Sequence, residues 1–214
     1  MTLDWTVIWQ YREEVAKGLW MTIQISGLSI LFSTAVGLSI GGLRVIPNFF
    51  LQKILGLYLD VIRNIPAVVK LFAIHFVVGL DAFAAGVLAL SLHQSAYIAD
   101  VMSSSLNALP KGQLEASLAT GLSHAQAFRR VLLPQALRIA IPPLSTQFVQ
   151  IVKNSAIVML ISLEDLTFVT SHIQLETFRG MEASIVVTFL YLLIAFAIIV
   201  SMNLIQAWSN RRFQ

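Results

Sequence analysis

The sequence contains no cysteine and few charged residues. The absence of cysteine excludes a disulfide framework and a thiolate metal site. Charged residues make up 12% of the chain and apolar residues 57%, whereas ordinary soluble proteins have roughly 25% charged residues. So few charges do not cover the surface of a soluble protein, but lipid requires no such cover. We therefore interpret the chain as an integral membrane protein. Its basic residues occur singly or in pairs, which predicts no nucleic-acid partner.

The sequence also lacks the motifs of nucleotide hydrolysis and of metal binding. The P-loop pattern, Gly followed by four residues and Gly-Lys-Ser/Thr, is absent, so ATP hydrolysis is not expected in this chain. The four histidines have no metal-binding spacing. We predict no catalytic residue and no metal site.

Five apolar stretches are long enough to cross a bilayer core of ~30 Å as helices of about 20 residues. They are residues 18–43, 54–80, 82–108, 139–163 and 183–208. The second and fourth contain charged residues and prolines, and a soluble helix is the alternative for these two. We predict an all-α integral membrane protein with five transmembrane helices, in a single domain of residues 1–214.

The charges between these stretches predict how the chain is oriented. Basic residues concentrate in one alternating set of segments, whereas most acidic residues lie in the other set. Basic loops remain cytoplasmic, so we predict an outside N-terminus and a cytoplasmic C-terminus. The first residues carry Asp4, Glu13 and Glu14 instead of a basic region, and we therefore expect no cleavable signal peptide. Trp5, Ile8 and Trp9 have helical spacing and predict a short interfacial helix. The alternative is an unstructured tail.

The longest basic loop, residues 110–138, contains residues that typically start and end helices. It is called the elbow below. Pro110 can open a helix, and Gly121 can end it in the left-handed conformation. Ser123 and Gln126 have the spacing of a capping box, and we expect the second helix to stop before Pro134. These signals predict two short helices with a bend at Gly121, which suit docking into a groove on a soluble partner. The alternative is packing of the loop on its own bundle.

Within the elbow, Glu115–Ser117, Gly121 and Val131–Pro134 have the spacing of a known motif. The order is Glu-Ala-Ala, three residues, Gly, nine residues and Ile-x-Leu-Pro, with Ser117 for the second alanine and Val131 for isoleucine. In this pattern the chain resembles the permeases of binding-protein-dependent ABC importers, which carry it as the EAA motif.

Other strings are similar to the subfamily that takes up polar amino acids. They are Arg63–Pro66, Ala96–Asp100, Leu109–Gln113, Leu133–Ala136 and Ile151–Ser155. Asp100 stands where that subfamily has glutamate, and Asn154 where it has aspartate. The resemblance extends from about Leu19 to the C-terminus.

The resemblance implies a multi-pass permease subunit in the cytoplasmic (inner) membrane of a bacterium, which moves polar amino acids at the expense of ATP. It implies three partners: a cytoplasmic ATPase dimer that binds the ATP and Mg, a second identical or related permease, and a periplasmic or lipid-anchored solute-binding protein. No cofactor is then bound directly by this chain. From the residues alone, a stand-alone channel or a secondary transporter is the alternative, which the odd span number and the lack of an inverted repeat disfavour.

The resemblance also makes the elbow the element that sits in a cleft of the ATPase. We expect Glu115 to be a cap or a docking carboxylate, and Gly121 to make the bend. The predicted coupling residues are Glu115, Ala116, Ser117, Gly121, Leu133 and Pro134.

Four charged residues lie within or beside the apolar stretches: Arg63, Lys70, Asp100 and Lys153. A charge at bilayer depth costs about 2.5–3.5 kcal/mol on insertion scales and usually faces the bundle interior. We expect these four as candidates for the substrate path, with Arg63 or Lys153 holding a carboxylate. The alternatives are a local pair of Arg63 with Asp60, and side chains that extend to the lipid headgroups.

Overall fold

The computed structural model describes residues 3–211, which fold into helices without a β-strand. The ten α-helices of this part are α1 (Thr6–Gln10), α2 (Arg12–Leu43), α3 (Phe49–Asn64), α4 (Ala67–Phe72), α5 (Ala82–Asn107), α6 (Lys111–Ala119), α7 (His124–Ala127), α8 (Leu133–Ser155), α9 (Leu166–Thr177) and α10 (Gly180–Arg211). Wide π-helical turns continue α4 (Ala73–Val77) and α7 (Phe128–Leu132), and a 3₁₀ turn continues α8 (Ala156–Ile161). The prediction of an all-α protein is confirmed.

Within residues 3–211, four continuous helical segments are long and apolar enough to cross a membrane. They are Arg12–Leu43, Ala82–Asn107, His124–Ile161 and Gly180–Arg211. Four of the five predicted stretches overlap these segments. Large apolar side chains are exposed along α10, among them Phe189, Phe196 and Leu204, and such a surface is the kind that lipid covers.

The remaining predicted stretch, residues 54–80, is not one helix. α3 ends at Asn64, Ile65 is extended with ψ 124°, and α4 begins after Pro66. The proline ring clashes with the preceding residue in the helical conformation and moves Ile65 into the extended region. The prediction of one uninterrupted helix is therefore wrong, and the stretch is divided among α3, α4 and a π-helical turn.

The second helix of the elbow does not stop before Pro134, contrary to the prediction. Helical structure continues from His124 to Ile161, through Pro134 and also through Pro142 and Pro143. In the π-helical turn before α8, the Leu133 N–H donates to the Phe128 carbonyl five residues back. This local widening shifts the hydrogen-bond register and accommodates a proline that has no N–H to donate.

The N-terminal segment forms the short helix α1 rather than an unstructured tail. Val7 is buried, whereas Trp5 and Trp9 are exposed, and the interfacial position of this helix stays a prediction. Val7 packs against Val169 and Ile173 of α9, and this tertiary contact determines which side faces inward.

Contacts divide the chain into two compact units. The first comprises residues up to 31, 66–91 and 148–198. Its core contains Ile25 of α2, Val87 and Leu90 of α5, and Val158 with Leu163. Eight of the eleven acidic residues of the chain belong to this unit.

The second unit comprises residues 32–65, 92–147 and 199–211 of the described part. It is built around the close approach of α2 and α5: a Cβ added at Gly41 would lie 2.5 Å from the Ala99 carbonyl oxygen. Only a residue without a side chain fits there. Of the acidic residues, only Asp60, Asp100 and Glu115 lie in this unit, against eight basic residues in its described part.

Candidate functional site

The bend of the elbow is a glycine-dependent helix end. Gly121 has φ +84°, and its N–H donates to the Leu118 carbonyl at 2.9 Å. The Leu122 N–H donates to the Ser117 carbonyl at 3.3 Å. These two bonds form a Schellman motif, which satisfies the last carbonyls of α6. The predicted left-handed conformation of Gly121 is confirmed.

The second helix of the elbow begins with the predicted capping box. The Gln126 N–H donates to Ser123 Oγ at 3.3 Å, and the Ser123 N–H donates to Gln126 Oε1 at 3.0 Å. Two N–H groups that helix geometry leaves without partners are therefore satisfied. Local hydrogen bonds therefore stabilise both sides of the bend.

One side of the elbow packs on the second unit. Phe128 and Leu132 contact a buried cluster formed by Met102 and Leu106 of α5 and Ala136 of α8. This inward side corresponds to the predicted alternative that the loop packs on its own bundle.

The opposite side of the elbow is exposed. Glu115 and Ala116 are exposed on α6, and an open hollow nearby on the elbow is lined by Ala125, Gln126, Arg129 and Arg130. The elbow thus packs on its own bundle with one side and presents a charged surface with the other.

The predicted coupling residues take three different positions. Glu115 and Ala116 face outward, whereas Ser117 is buried and donates through Oγ to the Gln113 carbonyl at 2.6 Å. Leu133 and Pro134 are half-buried at the start of α8. Glu115 is the fifth residue of α6, whose N-cap position is Pro110 without a side-chain hydrogen bond. The prediction of Glu115 as a cap is therefore wrong, and the docking carboxylate stays a prediction.

Two predicted substrate-path residues meet in a charge network within the second unit. Asp100 Oδ1 lies 2.9 Å from Nη1 of Arg44, and Asp100 Oδ2 accepts a hydrogen bond from Arg63. Arg63 also donates to Asp60 at 2.7 Å, which confirms the predicted local pair. Sequence analysis missed Arg44. The signal that could have identified it is its charge beside an apolar stretch, where opposite charges are expected to pair.

The other two predicted residues belong to the first unit. Lys70 is only 7% exposed on α4, and Lys153 is exposed on α8. The four predicted substrate-path residues are therefore divided between the two units.

Residues 37–41 have the Gly-x-Ser-x-Gly spacing of a serine nucleophile turn. That motif requires a sharp turn between a strand and a helix. Here Ser39 lies inside α2, four residues before its end, and its Oγ donates to the Ala35 carbonyl at 2.7 Å. Both glycines instead allow α5 to pack closely against α2. A Cβ added at Gly37 would lie 2.6 Å from the Cβ of Ile98. Within residues 3–211, no three His, Asp or Glu side chains come together in a group that could hold a metal ion.

Comparison with known proteins supplies a family. The family described as the binding-protein-dependent transport system inner membrane component matches residues 33–214. Among curated relatives, the probable amino-acid ABC transporter permease protein PatM of Vibrio harveyi is 28% identical over 99% of this chain and 97% of its own length. The glutamine transport system permease protein GlnP of Escherichia coli (strain K12) is 31% identical over 91% of this chain and 92% of its own.

A solved structure agrees with the sequence comparison. The crystal structure of an amino acid ABC transporter with histidines is similar with a TM-score of 0.87 and 31% identity, over 97% of this chain and 99% of that one. The residues that the family model matches, 33–214, include the elbow and α5. This chain belongs to the family of binding-protein-dependent transport system inner membrane components.

Proposed function

We propose that this chain is the membrane-spanning subunit of an ATP-driven importer that moves polar amino acids across the cytoplasmic (inner) membrane of a bacterium. The family match and the names of the relatives, which include amino-acid and glutamine permeases, support this function. They favour an importer subunit over a stand-alone channel or a secondary transporter. The observation that carries the proposal is the elbow: a family motif folded into two helices, with a charged exposed side.

The proposed topology has five crossings within one permease domain, residues 1–214, with the N-terminus outside and the C-terminus in the cytoplasm. The four long apolar helices supply four crossings. We assign the fifth to α3 and α4 with its π-helical turn, since a broken helix is tolerated at membrane depth where other protein buries it. The basic residues of the elbow, among them Lys111, Arg129 and Arg130, support this orientation, since basic loops remain cytoplasmic.

In the proposed mechanism, a separate ATPase dimer binds ATP and Mg, and its closure moves the elbow. Glu115 and Ala116 are available for docking because they are exposed, while Phe128 and Leu132 contact α5 on the opposite side. The elbow is thus in contact with the transmembrane helices whose arrangement must change. The ATPase then biases a membrane element between inward-open and outward-open states.

The proposed assembly contains a second permease, identical or related, and a periplasmic or lipid-anchored solute-binding protein. The substrate path is proposed to include charged residues within the bundle: Arg63 or Lys153 would hold a substrate carboxylate, and Lys70 and Asp100 are further path residues. Arg63 and Asp100 remain predicted path residues, although both already bond to protein charges.

Uptake in cells tests this function. The gene for this chain would be deleted in its source bacterium, and uptake of a panel of radiolabelled polar amino acids would be measured. We expect the ATP-dependent uptake of one or a few of them to disappear and to return with the wild-type gene. Unchanged uptake of the whole panel, or uptake that persists after ATP depletion, would contradict the proposal.

A further inference from the structure

Asp100 joins three helices in the second unit. It lies on α5, Arg44 directly follows the end of α2, and Arg63 lies in the last turn of α3. Each arginine uses a different carboxylate oxygen, and Asp60 gives Arg63 a second acceptor. Such charge-assisted bonds are directional and roughly twice as strong as neutral hydrogen bonds. The network therefore fixes the orientation of the three helix segments relative to one another.

Apolar contacts between α3 and α5 do not have this directionality. Leu59 of α3 packs against Ala96 and Ala99 of α5. These side chains are apolar and, for the two alanines, small, so sliding of α3 along α5 breaks no directional bond among them. Tyr58 and Ser95 share one hydrogen bond of 3.1 Å. The charge network is the stronger restraint against sliding.

α5 also contacts the elbow close to Asp100. Met102 and Leu106, two and six residues further along the helix, are buried against Phe128 and Leu132. A displacement of the elbow is thus transmitted to α5 within two helical turns of Asp100. The two arginine contacts of Asp100 can then transmit it to α2 and α3.

We infer that Asp100 is a positioning residue that holds α2, α3 and α5 together as one body, so that these helices move with the elbow. This inference rests on the proposed function, because it assigns a role within the ATP-driven cycle. It predicts that loss of the carboxylate uncouples the helices from the elbow without removing the ATPase.

Distance measurement between two spin labels tests the inference directly. The chain contains no cysteine, so Lys53→Cys and Ala119→Cys label exposed positions on α3 and α6 without background. In the full chain assembled with its ATPase, we expect one narrow distance distribution that is the same with and without ATP and Mg. Asp100→Asn is expected to broaden it, and Asp100→Glu, which keeps the charge, to restore it. Arg44→Gln removes only one of the two ion pairs of Asp100 and should broaden the distance distribution less than Asp100→Asn does.

The second readout is coupling. In proteoliposomes, Asp100→Asn should lower amino-acid uptake per ATP hydrolysed severalfold, because movement of the elbow is then no longer fully transmitted to α2 and α3. The probe is L-glutamine or the panel amino acid that the wild type takes up. Asp81→Asn is the matched control, since it removes the same charge from a carboxylate that only caps the start of α5. Uptake and distances should be unchanged in this control.

Three results would overturn the inference. One is an Asp100→Asn variant with wild-type distances. Another is Asp100→Asn with an unchanged ratio of uptake to hydrolysis. The last is a rise only in the KM for the amino acid, which would assign Asp100 to the substrate path. A wild-type complex without ATP-dependent uptake would instead refute the proposed function, and the label distances would still test the three-helix body.

Discussion

Replacement of Gly121 by valine tests the elbow in a way that isolates backbone conformation. Gly121 has φ +84°, and a Cβ placed there meets no atom within 4 Å. A side chain therefore costs free energy through the backbone alone and not through a clash. A left-handed conformation costs a residue other than glycine about 1–2 kcal/mol. This cost lowers the equilibrium constant between the native bend and other conformations of the elbow by a factor of about 5–30.

The assay is the ratio of amino-acid uptake to ATP hydrolysis in proteoliposomes. Gly121→Val should lower this ratio, because fewer molecules present the elbow in its docking shape. Gly112→Val is the matched control: Gly112 is also exposed on the elbow and also meets nothing within 4 Å, but lies within α6 without a positive φ. Gly121→Asn should retain most coupling, since asparagine tolerates the left-handed region. Equal losses for Gly121→Val and Gly112→Val, or complete uncoupling by Gly121→Asn, would refute the reasoning.

Three further predictions concern stability and follow from single sites. Gly41→Ala should lower the thermal unfolding midpoint in detergent by an amount corresponding to about 1–3 kcal/mol, since α2 and α5 must separate to make room for the methyl group. Gly27→Ala is the control, because Gly27 lies on the same helix with no atom within 4 Å of an added Cβ, and it should leave the midpoint unchanged. Equal shifts in the two variants would contradict the prediction. Ser123→Ala should cost about 1 kcal/mol of elbow stability, measurable as faster amide hydrogen exchange in residues 124–127, and unchanged exchange would count against the capping box. Burial raises the pKa of the Asp165 carboxyl, so the folded state binds its proton more tightly than the unfolded state does. Stability relative to the non-titrating Asp165→Asn should therefore increase as pH falls from neutral towards the unfolded-state pKa of about 3.9, and unfolding midpoints whose difference does not change with pH would exclude the effect.

Local signals in the sequence predicted the elbow well. Gly121, and Ser123 with Gln126, act through hydrogen bonds to residues at most five positions away, so their chemistry can be read from neighbouring residues. Pro134 misled the prediction, because the rule that proline ends a helix does not include the π-helical turn that admits it.

Tertiary partners could not be predicted in the same way. Arg44 and Asp100 are 56 residues apart in sequence, and only the packing of α2 on α5 brings them together. The helix α9 was not predicted either, although Asp165 caps it by accepting the Phe168 N–H at 2.9 Å. The spacing of Asp165 and Phe168 was a local signal for this cap. The buried Asp165 carboxylate also accepts a hydrogen bond from the Tyr191 hydroxyl of α10 at 3.0 Å, and the sequence does not reveal this distant partner.

The most direct test of the central claim is to purify the tagged chain gently from its native membrane and to identify what accompanies it. We predict a P-loop ATPase that is retained with the wild type and with Gly112→Val, is recovered in a smaller amount with Gly121→Val, and is lost when Glu115 is replaced by lysine. A chain that purifies without any ATPase across a series of mild detergents would contradict the account and favour a stand-alone channel or secondary transporter.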